Sequence, residues 1–91
     1  MLIPKLTSAY KKDMKRINAR GWDIDNDLLP LLSLLMCEQE LPTKHSDHAL
    51  IGNWAGYREF HVGPDWIVIY QVIGAFLVLA RTGTHSDLFK K

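Results

Sequence analysis

A chain of 91 residues has room for one core; at this size roughly 60–65% of the unfolded surface is buried, so a single domain over residues 1–91 is expected. The apolar fraction of 47% and the charged fraction of 23% are globular values and exclude a disordered chain. A net charge of +1 does not by itself mark a nucleic-acid binder, and a lone cysteine, Cys37, excludes an internal disulfide and suits a reducing compartment.

Taken in chain order, Leu2-Ile3-Pro4 supports at most a short strand and runs into charged residues without a secretory pattern. Residues 6–20 read as an amphipathic helix: Leu6, Ala9, Tyr10, Met14 and Ile17 share one face, Thr7 or Ser8 can cap it, and Gly21 stops it. Asp23, Asp25 and Asp27 precede a leucine-rich second helix reaching Glu40, with Asp27 as the expected cap and Pro30 in the first turn. Cys37, inside that helix, reads as a small buried hydrophobe. Residues 42–56 are punctuated by Pro42, Gly52 and Gly56 and read as irregular, with His45 as a loop residue.

From Tyr57 the hydrophobic period changes to two. Segments 57–62, 66–72 and 76–82 are strands, with Gly63-Pro64-Asp65 and Ile73-Gly74-Ala75 as turns, and they predict an antiparallel meander. Trp66 and Tyr70 are expected in the core or on a sheet face, and Trp54 and Tyr57 to close the loop over it. The class is therefore α+β, two N-terminal helices on a small antiparallel sheet. The longest apolar run, Trp66 to Ala80, is interrupted by Tyr70, Gln71 and Gly74 and is too short for a membrane, so a soluble cytoplasmic protein is expected.

Charge is segregated along the chain. Residues 1–20 hold six Lys/Arg against Asp13, and residues 23–47 hold six acids against Lys44. Lys11, Lys12 and Lys15 on the first helix, and Arg58 farther on, could lie along an RNA backbone, where each cation releases a counterion; a solvated helix face is the plainer reading.

The chemistry-bearing residues gather in the second half. His61 and Asp65 flank one turn, and the third strand brings Arg81 and then His85 to the same sheet edge; His48 depends on its loop. Imidazoles titrate near pH 6.5, so one can take the proton of an RNA 2′-hydroxyl while another protonates the departing 5′-oxygen. A guanidinium such as Arg81 suits the charged phosphorane-like oxygens, and Phe89 could stack on a base. Spacing alone leaves ordinary surface residues as an open alternative. A metal site from His48, His61, His85 and Asp65 has suitable ligand types but no supporting spacing.

Three stretches change the weighting: Asp47-His48-Ala49-Leu50 with residues 52–59 (GNWAGYRE), then residues 61–70 (HVGPDWIVIY), then Arg81-Thr82-Gly83-Thr84-His85-Ser86-Asp87-Leu88-Phe89. Together they resemble the YafQ-type toxins of the RelE/ParE superfamily, in detail over residues 41–89. The resemblance implies a RelE-like fold and a metal-independent endoribonuclease, without cofactor, that cuts messenger RNA, usually on the ribosome. It implies His48, His61, Asp65, Arg81, His85 and Phe89 as site residues. It also implies a neutralising, dimeric antitoxin that carries the complex to operator DNA. The ParE branch, which poisons gyrase, and a non-catalytic antitoxin-binding or corepressor module stand as alternatives; neither needs a histidine group.

Overall fold

The computed structural model describes residues 1–89. In chain order these are β1 (Ile3–Leu6), α1 (Ser8–Ala19), a π-helical turn (Ile24–Leu28), α2 (Leu29–Met36), β2 (His48–Ala49), β3 (Arg58–Gly63), β4 (Trp66–Ile73), β5 (Phe76–Gly83) and α3 (His85–Phe89), with 3₁₀ turns at Thr43–His45 and Gly52–Trp54.

Thr7 separates the first two elements. Its hydroxyl oxygen accepts from the Tyr10 N–H at 3.0 Å, capping α1, and its O–H donates to the Ala80 carbonyl at 2.8 Å. Such a cap satisfies one of the orphan N–H groups of the first turn and is typically worth about 1 kcal/mol. The helix therefore starts later than the hydrophobic pattern implies: Leu6 belongs to β1, and Leu6 and Ala9 are exposed. The buried stripe is Tyr10, Asp13 and Ile17, with Met14 partly covered.

The second helix departs further from expectation. Its entry is capped by Asp23, not Asp27, through the Asn26 N–H at 3.1 Å, and one π-helical turn precedes α2. Pro30 does fall in the first turn of α2, where its missing N–H costs little. The helix stops at Met36, short of Glu40, and Glu38 turns left-handed at φ 58°. Cys37 thus lies just past the helix end and is exposed, contrary to its expected burial.

The sheet has five strands in the order β1-β5-β4-β3-β2. The predicted meander is its centre, β3–β4–β5, all antiparallel. Two features correct the sequence reading. β1 pairs parallel with β5 from Ile3 to Leu6, so the sheet is mixed, and β2 adds an antiparallel rung inside the segment expected to be irregular.

Helices α1 and α2 cover one face. Tyr10, Ile17, Leu28, Leu31, Leu32 and Leu35 pack there against Phe60, Trp66, Val68, Tyr70, Leu77 and Leu79, and Trp22 lies 5.0 Å from Trp66. On the other face Ile67, Ile69 and Ala80 are closed by Leu88 of α3. All five residues from Trp66 to Tyr70 are buried because both faces of β4 are covered. Among the described residues no helix is long and apolar enough to cross a membrane.

The short α3 is held from its start. Thr84 Oγ1 accepts from the Asp87 N–H at 3.0 Å, and Asp87 Oδ2 accepts from the Thr84 N–H at 3.0 Å, a reciprocal capping box. Gly83 sits at φ 149°, and a Cβ there would lie 2.8 Å from Asp87 Oδ2, so no other residue fits without displacing the carboxylate. Arg20 of α1 completes the anchor with two bonds to Asp87, at 2.8 and 3.1 Å.

The Arg20 hydrogen bond is the largest cause holding the Asp87 carboxyl well below the usual carboxylate range. A depressed folded value means that its contribution to stability is present at neutral pH and is lost as pH falls below the ordinary carboxylate range. Asp87→Asn is therefore expected to lower Tm at pH 7 by roughly 5 °C, and the difference from wild type should shrink as a thermal-denaturation series is carried down to pH 2.

Candidate active site

β3 alternates a core residue, Phe60, with Glu59 and His61 on the opposite face. Pairing carries that face across the sheet: His48 of β2 lies opposite Glu59, Glu59 opposite Ile69, and Ile69 opposite Arg81, while His61 lies one rung on, opposite Ile67. His48, Glu59 and Arg81 thus share one row.

The imidazoles converge on carboxylates. Glu59, 6% exposed, sets Oε2 at 3.3 Å from His48 Nε2 and 3.4 Å from His61 Nε2, and its Oε1 is buried without a partner. His61 and His85 have ring centroids 5.6 Å apart, and His48 and His61 6.3 Å. His85 opens α3 with its backbone N–H donating to Asp65 Oδ1 at 3.0 Å and its Nδ1 at 2.9 Å from the same oxygen. The backbone bond first, and then the imidazole, hold the Asp65 carboxyl below its ordinary range. With Nδ1–H donated to Asp65, His85 Nε2 is left for a substrate. Phe89, one turn on, has its ring centroid 6.0 Å from that of His85.

The segment carrying His48 is pinned at three places. Tyr70 donates its O–H to Asp47 at 2.7 Å, and Arg58 Nε donates to the same carboxylate at 3.1 Å. His48 Nδ1 meets the Ser46 carbonyl at 2.5 Å, so both ring nitrogens face oxygen acceptors. His45, expected as a plain loop residue, lies in a 3₁₀ turn and sets Nδ1 at 2.6 Å from the His61 carbonyl. Burial first, then the Asp47 bond, push the Tyr70 hydroxyl well above the ordinary phenol range, so it stays a donor.

Arg81 makes no hydrogen bond to the histidines. Its Nε and Nη2 donate to Asp13 of α1 at 2.7 and 3.1 Å. With Arg16, Trp54 and Phe89 it lines a groove of about 680 Å³ beside α3. Lys11, Lys12 and Lys15 are exposed on α1 and make no ion pair among the described residues, whereas Arg58 is tied to Asp47.

Sequence reasoning passes over three acids that organise this site: Glu59, Asp13 and Asp47. Glu59 could have been found from its i, i+2 relation to His61 on a strand, which puts both on one face. Asp13 gives no such signal, because its partner lies 68 residues away.

Glu59, His61 and His85 each offer one ligand atom within 4.8 Å of the others, a set chemically suited to a transition ion. A family model described as the bacterial toxin of type II toxin–antitoxin systems, YafQ, matches residues 2–90. This chain belongs to the YafQ toxin family. The mRNA interferase toxin YafQ of Escherichia coli K12 is 46% identical over 81 residues, 88% of this chain and 87% of that one. Among solved structures, a copper-bound mutant toxin from Helicobacter pylori superposes with a TM-score of 0.93 at 36% identity, covering 98% of this chain and 100% of that one. YafQ in the E. coli DinJ–YafQ complex does so at 0.88 and 39%, covering 98% and 99%. The family's fold, helices on a mostly antiparallel sheet, is therefore shared over nearly the whole chain.

The Asp47 clamp yields a test. Tyr70→Phe should cost about 1–2 kcal/mol, less than a lone bond to a charge because Arg58 still holds the carboxylate. Amide hydrogen exchange should quicken over residues 46–49 and stay slow in β4 and β5; uniform quickening would refute a local role.

Proposed function

We propose that this YafQ-family chain is an endoribonuclease that cuts messenger RNA, most effectively on the ribosome, as the toxin of a type II toxin–antitoxin pair. The observation that carries the reading is the group of three imidazoles, each beside a carboxylate, gathered from β2, β3 and the start of α3. The curated E. coli relative is an mRNA interferase toxin, and its counterpart in the DinJ–YafQ complex is bound by a partner protein. A neutralising antitoxin is accordingly the protein partner proposed here, with operator DNA reached only through that complex.

In this reading the 2′-oxygen of the RNA attacks phosphorus as its proton passes to a base, and the bond from phosphorus to the 5′-oxygen breaks as that oxygen takes a proton. The products are a 2′,3′-cyclic phosphate and a 5′-hydroxyl. His85 Nε2, oriented by Asp65 on Nδ1, makes one transfer. His48 and His61, sharing Glu59, supply the other; the two acceptors around His48 suit a proton donor. Arg81 offers its guanidinium to the phosphoryl oxygens, and Phe89 stacks on a neighbouring base.

Inducing wild type and His85→Ala without antitoxin, and mapping new RNA 5′ ends, tests this. Wild type should arrest growth and produce 5′-hydroxyl ends, and His85→Ala should lose both by about a hundredfold or more. Arrest by the variant with no new ends, together with altered DNA supercoiling, would transfer the reading to gyrase.

The ligand set of Glu59, His61 and His85 gives a second expectation. Nothing in the proton transfers calls for a metal, whereas Zn²⁺ or Cu²⁺ on those atoms would occupy the lone pairs that move protons. Toxin stripped with EDTA and returned to Mg²⁺-containing ribosome buffer is expected to cleave unchanged, and micromolar Zn²⁺ or Cu²⁺ to inhibit it, reversibly on removal of those ions. Loss of activity in the stripped toxin, restored by Zn²⁺ or Cu²⁺, would overturn the metal-free scheme.

A further inference from the structure

Asp13 is the one fully buried carboxylate of α1, 1% exposed, in a helix otherwise dominated by cations. Its two oxygens receive four N–H groups. Oδ2 accepts from Arg81 Nε at 2.7 Å and from the Thr82 backbone N–H at 3.1 Å, while Oδ1 accepts from Arg81 Nη2 at 3.1 Å and from Arg16 Nη1 at 3.2 Å. The Arg81 contact is a two-pronged fork, which fixes the plane of the guanidinium as well as its position. The Thr82 bond fixes the backbone of the next residue against the same carboxylate.

The consequence lies in what is left over. Arg81 Nη1 makes no hydrogen bond among the described residues, its side chain is 25% exposed, and it opens onto the groove shared with Trp54 and Phe89. A free arginine side chain has several rotatable bonds and would have to be ordered at the moment of reaction. One held on its Nε edge presents Nη1 already oriented, which is how preorganised donors lower a barrier.

We infer that Asp13 is a positioning residue for RNA cleavage: it holds Arg81 so that Nη1 meets the phosphoryl group, and it touches no substrate itself. This rests on the reading of Arg81 as the phosphate-contacting cation. It also gives α1 a part in catalysis through its single buried acid rather than its exposed lysines.

The test is a double-mutant cycle on Asp13→Asn and Arg81→Ala, measured as kcat and KM on a messenger RNA programmed in ribosomes. Arg81→Ala alone should lower kcat by about a hundredfold. Asp13→Asn should lower kcat by about ten- to a hundredfold with KM within twofold, and should add nothing in the Arg81→Ala background. Wild-type kcat in folded Asp13→Asn, or an effect that multiplies in full onto Arg81→Ala, overturns the positioning role while leaving the nuclease reading intact. Wild-type kcat in Arg81→Ala overturns both the reading of Arg81 and the inference built on it.

Removing the charge also removes an anchor of α1, so Asp13→Asn will lower Tm. Should it fail to fold, Asp13→Glu keeps the charge and displaces the fork by one methylene, and the same cycle and criteria apply. The Arg81 Nε–H resonance gives a readout that stability alone does not move. In wild type it should exchange slowly and report a fixed guanidinium, and in the folded variant it should exchange at least tenfold faster; unchanged exchange counts against the inference.

Discussion

The carboxylate of Asp87 is where the C-terminal helix is tied to everything else. It closes the capping box with Thr84, excludes any side chain at Gly83, and receives both bonds of Arg20 from α1. Without it α3 is a single turn, too short to be stable alone. His85 and Phe89 stand on that turn, and Leu88 between them closes the second hydrophobic cluster over Ile67 and Ile69. Position at the site and burial beneath it are therefore one constraint, set from the opposite end of the chain.

The same arrangement repeats around the sheet. Asp13 holds Arg81, Asp47 holds Arg58 and Tyr70, Asp65 holds His85, and Glu59 lies between His48 and His61. Each acid is a near neighbour of a base that the chemistry or the fold needs in one orientation. Asp13, Asp47 and Asp87 neutralise and orient arginines in this way, while the five acids between Asp23 and Glu40 make no ion pair among the described residues. The exposed lysines of α1, like Lys5 and Lys44, have no such partner among the described residues, and their use in holding an RNA backbone rests on charge alone.

Much of this was legible in the sequence, for identifiable reasons. The meander is written in a period of two, α1 in a period near 3.6, and Trp66 and Tyr70 are buried as their apolar bodies demand. β1 could be glimpsed but its parallel pairing could not, because that depends on how β5 returns. β2 is two residues long and has no pattern to show. Cys37 reads as helical and buried because a leucine-rich run does not announce its last turn; the left-handed Glu38 ends it, and Glu carries no sequence signal for that conformation. Spacing brought His61, Asp65 and His85 together, and resemblance was needed for His48. Glu59 and Asp13 are buried, yet an acid near other charged residues reads in sequence as solvated surface.

The row on which the site stands depends on one irregularity that no periodic reading contains. Leu77 and Leu79 face the helices, so strict alternation would send Arg81 to the core with them. Instead Tyr70 pairs with Leu79 and Ile69 with Arg81, which makes Ala80 an extra residue in β5. A bulge of this kind reverses the faces beyond it. Ala80 packs into the second cluster, Arg81 joins the face of Glu59 and His48, and Thr82 turns inward to accept the Trp66 indole N–H at 2.9 Å. Beyond the last rung with β1, the β5 edge is open to α1, and Asp13 takes both the Thr82 N–H and the Arg81 fork there. An arginine that simple alternation would bury among the helices is thereby turned to the face of Glu59 and His48 and held there by one buried acid, so the bulge and Asp13 act as two halves of a single device.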